Sequence, residues 1–430
     1  MLSSFAMTEK FLHYLWKMKL LKMDELHSAS GEKIQIIKTG EHNHDAGPDF
    51  LNARIKLGET EWAGNMEIHV RSSEWNQHRH QNDGGYNNVI LHVVFENDAE
   101  VFHEDETSVI TLAVKNFFDK KIYESYQSLM QSASWIPCEN QIRKVNALTI
   151  SQWLHRLMIE RLEEKVQPII LSLEENQNNW EETFYQSIAA AFGAKVNAEP
   201  FRMLARMLPV KILAKHKSNL FQLEALLFGT AGFLEEKFSD DYPNQLKKEF
   251  EFLKKRHQLL PMKKHVWKFL RLRPANFPTI RIAQFAQLVF NSVHLLSKIV
   301  ETSDAKSLLK LFECETSDYW LDHYRFDKIS AKRKKQLGKD AIELILINTV
   351  APFLFVYGKM HGDEDLINRS LKLLEEIPSE KNNIITHWKK TGVDAKAAFD
   401  SQALLQLKNS YCKNFRCLEC AIGHKILSIK

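Results

Sequence analysis

The feature that most limits the fold is a change of hydrophobic period near residue 145. Between residues 33 and 114 the apolar residues come in short runs rich in β-formers: KIQIIKT, FLNARIKLG, EWAGNMEIHV, NVILHVVFE and SVITLAV, bounded by Gly, Asn or Asp. Side chains alternate across a strand, so these runs predict strands. Beyond residue 145 the spacing becomes three and four, in TISQWLHRLMIERLEEKVQPIILSL, WEETFYQSIAAAFG, NLFQLEALLFGTAGFLEEKF and NQLKKEFEFLKKRHQLL. That is helical spacing, and Gly193 stands where a C-cap glycine belongs. No fixed-period repeat runs through it, which argues against a solenoid. The expectation is an α+β chain: an α/β unit over residues 1–140, then a larger irregular all-helical domain over 141–430 with a cysteine-rich tail.

Within the first part, residues 8–26 carry apolar positions at helical spacing and predict an N-terminal helix. SSEWNQHRHQNDGGY, between the third and fourth strands, reads as a helix or ordered loop whose NDGGY turns into the next strand. At 430 residues the chain exceeds one ordinary core. No apolar run approaches bilayer length, and the amphipathic start has no small-residue cleavage site, so neither a membrane nor a secretory route is expected. Three of the five cysteines fall within nine positions, which suits the reducing cytoplasm better than a disulfide scaffold. Charge is split: 13 Lys/Arg against 21 Asp/Glu in residues 1–140, and 45 against 33 in the remainder. Such a contrast fits acidic metal ligands in one part and an anionic polymer on the other.

The chemistry concentrates in GPDFLNARIKLGETEWAGNMEIHV, residues 47–70. Asp49 opens one strand; Glu67 and His69, two apart, share a face of the next. A hairpin around LGET brings Asp49 and Glu67 together, where two carboxylates suit a hard cation such as Mg²⁺ or Mn²⁺. A carboxylate pair, a cation and a basic group form a minimal site for phosphodiester hydrolysis. Half of the 18 histidines lie in the first 103 residues. His78 and His80, with Tyr86 and His92 nearby, are a possible further part of the site. Three imidazoles including His69 would favour Zn²⁺ or Mn²⁺ over Mg²⁺. The plainer readings are an exposed His78/His80 pair, a core His92 inside VILHVVF, and a turn-forming Asp49.

The order Pro-Asp, strand, turn, Glu-x-basic resembles the signature of the PD-(D/E)xK, or restriction-endonuclease-like, nucleases over roughly residues 8–115. The resemblance implies Asp49 and Glu67 as metal ligands and places His69 where that superfamily usually has lysine. It also implies a helix carboxylate, Glu9 or Glu25 here. Over nearly its whole length the chain further resembles a bacterial family of unknown function, through HNHDAGPDFLNARI, GNMEIHVRSSEWNQHRH, NAEPFRMLARMLP, ALLFGTAGFL and RLRPANFPTIRIAQ.

Two motifs remain. YCKNFRCLECAIGH sets Cys412, Cys417 and Cys420 at metal-ligand spacing, with His424 as a local fourth ligand or Cys138 as a distant one. Zn²⁺ and an iron–sulfur cluster both suit it, and similar clasps occur in some nucleases of the resembled superfamily. Residues 263–289 interleave Lys263, Lys264, Lys268, Arg271, Arg273 and Arg281 with Trp267, Phe269 and Phe277, a mixture that suits nucleic acid as well as a structured break between helices. The expected function is a metal-dependent nuclease or phosphodiesterase acting on DNA or RNA. The alternatives are a catalytically silent nucleic-acid-binding or scaffold protein, and a zinc hydrolase built on His69, His78, His80 and His92.

Overall fold

The computed structural model describes residues 6–292 and 294–428. The chain is α+β, a mixed sheet followed by many helices. It forms two compact units: one takes in the chain up to Trp153 and again from Lys408, and the other is Leu154–Leu407.

The first unit opens with α1, Glu9–Lys17. Thr8 caps it by accepting from the Phe11 N–H, and Phe11, Leu12, Tyr14, Leu15 and Trp16 are buried. The helix expected over 8–26 ends early because Lys19 takes a left-handed φ of 52°. The Lys19 and Leu20 amides then bond back to Trp16 and Leu15 carbonyls, closing the helix end. Residues 23–25 form only a short 3₁₀ turn.

Six strands follow: β1 Ile34–Lys38, β2 Glu41–His42, β3 Phe50–Leu57, β4 Thr60–Arg71, β5 Val89–Glu96 and β6 Thr111–Ala113. The sheet order is β1-β3-β4-β5-β6, with β2 also paired to β3. β1, β3 and β4 run antiparallel, and β3 turns into β4 at Gly58 (φ 56°), where the LGET hairpin was expected. β5 runs parallel to β4, and β6 to β5. A parallel neighbour requires a crossover. Residues 72–88 supply it as α2, Glu74–Gln77, and two 3₁₀ turns. The first six residues of β5 are buried, as expected of a strand covered on both faces.

Among the described residues, the only strands of the second unit are those of the small hairpin His323–Arg325 with Lys328–Ile329; its regular structure is otherwise helical. Its helices include Trp180–Phe192, Leu220–Thr230 and Asp241–His257. Gly193 follows the first of these, but with φ −69°, so it is not a left-handed cap. Its role is close packing: a Cβ there would meet the Asn197 carbonyl oxygen at 2.2 Å. The helical stretch Lys339–His361 is long and apolar enough to cross a membrane by length and composition, yet 72% of its apolar window is buried within the protein. Most of its apolar surface is occupied by packing.

Candidate metal centre

Asp49 and Glu67 converge across the β3–β4 pair. The Asp49 amide donates to Glu67 Oε2 at 3.0 Å, and the Ile68 amide donates to Asp49 Oδ2 at 2.9 Å. A bulge just after Asp49 makes room for this: the pairing shifts between Phe50 and Ala53, and Asn52 takes φ 55°.

On the same face of β4, Glu67 and His69 are both buried. Parallel register sets His92 of β5 beside Glu67, and His92 Nε2 lies 2.8 Å from His69 Nδ1. The crossover then brings two more imidazoles over the strand. His69 Nε2 is 3.1 Å from His78 Nδ1, and the His80 ring stacks on His69 at 5.4 Å. Among the described residues, His69, His78 and His80 are the group whose donor atoms all fall within 4.8 Å of one another. His69 and His80 each hold Nε2 within 3.5 Å of Glu67 Oε1. His80 Nε2 is buried and lacks an aligned hydrogen-bond partner, although Glu67 Oε1 is only 3.4 Å away. His78 is the exposed member, so the group opens to solvent on that side.

The crossover is rigidly anchored, which is why short loop residues hold these imidazoles. Ser72 donates to Ala99 O at 2.8 Å, and Asp98 accepts from the Ser73 amide at 2.9 Å. Glu74 Oε2 accepts from the Val70 and Arg71 amides. Trp75 is fully buried, donates to Phe102 O, and sets its ring 5.3 Å from His80 and 5.2 Å from His92. Tyr86 also stacks on His80, at 3.8 Å.

Burial keeps His69 and His92 neutral. Burial, reinforced by His78 and His80, pulls His69 down to about 3; burial pulls His92 well below its ordinary value. Neutral imidazoles are the form that binds metal. Burial pushes Glu67 up, with help from the Asp49 charge. Burial also pushes Asp49 up, but the His13 bond and charge and the Ile68 amide outweigh it and hold the carboxyl below its usual range. Burial and the Glu67 and Asp49 charges raise the Tyr86 phenol to about 12, so it faces the acidic pair while protonated.

His13 was not legible as a site residue, yet its Nε2 lies 3.2 Å from Asp49 Oδ2. His13 Nδ1 continues to His42 Nε2 at 3.4 Å, and His42 Nδ1 to His44 Nε2 at 3.3 Å. The available signal was the Glu9/His13 spacing of four, which puts both on one face of α1. Burial raises Glu9, with help from the charges of Glu74 and Asp49. Glu25 does not join it: it pairs with Lys22 at 3.5 Å on an exposed turn.

In the same unit Cys138, Cys412, Cys417 and Cys420 are all buried free thiols. His424 is engaged elsewhere, with Nδ1 2.7 Å from the Tyr14 hydroxyl. In the other unit Lys263, Lys264, Lys268, Arg271 and Arg273 are exposed, with Lys264 paired to Glu236 at 2.7 Å. Arg281 turns inward, donating to Asn276 and Gln284. The aromatics are committed within the protein: Trp267 is buried and donates to Ala231 O, while Phe269 and Phe277 hold the Arg325 guanidinium at 4.3 and 4.7 Å.

An α+β protein with an imidazole–carboxylate cluster on its mixed sheet is the class that fold and site define. The chain belongs to the family described as Protein of unknown function (DUF2851), whose model matches residues 9–383. No curated protein matches it. No solved structure does either.

Proposed function

We propose that the protein is a metal-dependent phosphodiesterase of nuclease type, with its cation held by His69, His78, His80 and Glu67 and with Asp49 beside them. The observation that carries this reading is the closure of three imidazole donors to within 4.8 Å next to the Asp49–Glu67 pair. The buried His80 Nε2, without an aligned partner, is the kind of atom a cation would satisfy. Nitrogen-rich donors favour Mn²⁺ or Zn²⁺ over Mg²⁺. A cation there would supply Lewis-acid polarisation of a phosphoryl oxygen.

The rest of the chemistry falls to side chains. His92 fixes the ring of His69 through Nδ1, leaving Nε2 toward the cluster. Asp49 stays ionised against His13, a pair suited to orienting a water and passing its proton outward through His42 and His44. In this reading His69 is a ligand, and the basic role usually filled by lysine in PD-(D/E)xK enzymes falls to His13. The helix–strand–strand–strand–crossover–strand order, with β5 parallel to β4, supports the nuclease likeness. Nucleic acid is the proposed substrate, and the exposed cations of residues 263–273 support it.

The test is cleavage of labelled single- and double-stranded DNA and RNA with Mn²⁺, Zn²⁺ or Mg²⁺. Metal-dependent cutting that disappears in Asp49→Ala and His80→Ala is expected. Cutting of no substrate by a metal-loaded wild type would reject the enzyme and leave the silent binding protein.

A further inference from the structure

The thiols of Cys138, Cys412, Cys417 and Cys420 gather in one place although 273 residues separate the first two. Each is buried, and none is in a disulfide. Their sulfurs lie within electrostatic reach of one another, Cys138 with Cys417 and Cys420, and Cys412 with all three.

The backbone around them is built to hold that arrangement. The Cys138 carbonyl accepts from the Gln141 and Ile142 amides, each at 2.9 Å, which turns the chain directly after the thiol. The Cys420 amide bonds to the Cys417 carbonyl at 3.3 Å across a 3₁₀ turn. Gly423 packs so closely over that turn that a Cβ would meet the Cys417 carbonyl oxygen at 2.1 Å. Lys408 donates to the Trp135 carbonyl and sits 4.6 Å over its ring, tying the two segments together. The remaining candidate ligands are occupied otherwise: His424 bonds Tyr14, and Cys314 lies in the other unit beside Arg281.

Four clustered thiolates repel unless a cation neutralises them, and soft cations prefer such donors. We propose that Cys138, Cys412, Cys417 and Cys420 are the four ligands of a single thiolate metal centre. Zinc and a four-iron cluster both take four cysteines. The centre clamps the C-terminal segment onto the α/β unit. Through the Tyr14–His424 bond it also seats α1, the helix that carries Glu9 and His13. It stands independently of the phosphodiesterase reading.

The experiment is metal and acid-labile sulfide analysis of the full chain purified without oxygen, in a His80→Ala background that removes histidine-bound metal from the count. Cys→Ser variants at each of the four positions are compared with Cys314→Ser and His424→Gln. About four irons with sulfide, or about one zinc without it, is expected per chain. Either should be lost from all four cysteine variants and kept by both controls. The sulfide result distinguishes the two metals. Absence of metal from the parent, or a full complement in Cys138→Ser, overturns the proposal. Should a variant fail to fold, thiol labelling of the parent decides. Four thiols that become reactive on chelation support the centre, and labelling indifferent to chelator counts against it.

Discussion

His69 and His92 sit on adjacent parallel strands, 23 residues apart in sequence, with Nδ1 of the first 2.8 Å from Nε2 of the second. One imidazole thereby sets the orientation of the other. Removing such an outer partner typically weakens metal binding 10–100-fold. On the proposed site, His92→Phe should therefore lower Mn²⁺ or Zn²⁺ affinity by about that factor, while His80→Ala, which removes a proposed ligand, should abolish tight binding. Titration calorimetry checks both, and unchanged affinity in His80→Ala would remove His80 from the site.

Acid should destabilise the first unit. His69 and His92 are neutral when folded, with His69 down to about 3, whereas in the unfolded chain they titrate near 6.5. Below that value the unfolded state takes up protons that the folded state refuses. Stability present above about pH 6.5 should thus fall as pH drops toward 3, by up to about 1.4 kcal/mol per pH unit for each group. Urea unfolding between pH 8 and 5 measures this, and a double His69→Gln/His92→Gln variant should show a shallower dependence.

The second unit should respond in the opposite sense. Glu224 is completely buried, accepts from Ser317 Oγ at 2.9 Å and from Tyr242, and is raised by burial to about 7. The unfolded state ionises first, so stability present below about pH 4.5 should be lost as pH rises through 7. Glu224→Gln should flatten that loss. Hydrogen exchange resolved by unit separates it from the histidine effect, and an unchanged pH profile in Glu224→Gln would contradict it.

Trp75 anchors the crossover beneath the imidazoles. Trp75→Ala should cost about 3–5 kcal/mol through the cavity it leaves. Trp75→Phe keeps most of the ring but deletes the bond to Phe102 O, a loss nearer 1 kcal/mol. Thermal unfolding ranks the two, and equal effects would mean that the hydrogen bond dominates the packing.

The basic segment divides into surface and interior. If Lys263, Lys268 and Arg273 meet phosphate, each change to Ala should reduce the salt dependence of nucleic-acid binding by about one unit of slope. Arg281→Ala should instead lower the unfolding temperature and leave that slope alone, because its guanidinium bonds Asn276 and Gln284. Fluorescence anisotropy against salt measures the slopes.

The strands were legible in the sequence because alternation and burial agree. NVILHVVFE predicted a strand and Val89–Glu96 forms one; EWAGNMEIHV lies within Thr60–Arg71. Helices were legible where periodicity is strong, as in Trp180–Phe192. Ends were harder. Lys19 and Gly232 leave the helical region through backbone angles that apolar spacing does not encode. Asp49, Glu67, His69, His78 and His80 could be singled out by residue type, and the parallel register that brings His92 against His69 is a tertiary fact. His13 was hidden for the same reason: α1 looks like any amphipathic helix until β3 lays Asp49 against it.

The return of the chain from Lys408 onward into the unit that began it has a consequence for biosynthesis. Domains usually fold in the order in which they leave the ribosome. Here the sheet can pair early, but His424 reaches Tyr14 and the three late cysteines reach Cys138 only after all of residues 154–407 have been made. Residues 154–407 are thus complete on the ribosome before the segment that closes the first unit emerges, and that unit cannot be finished until the helical one has been made.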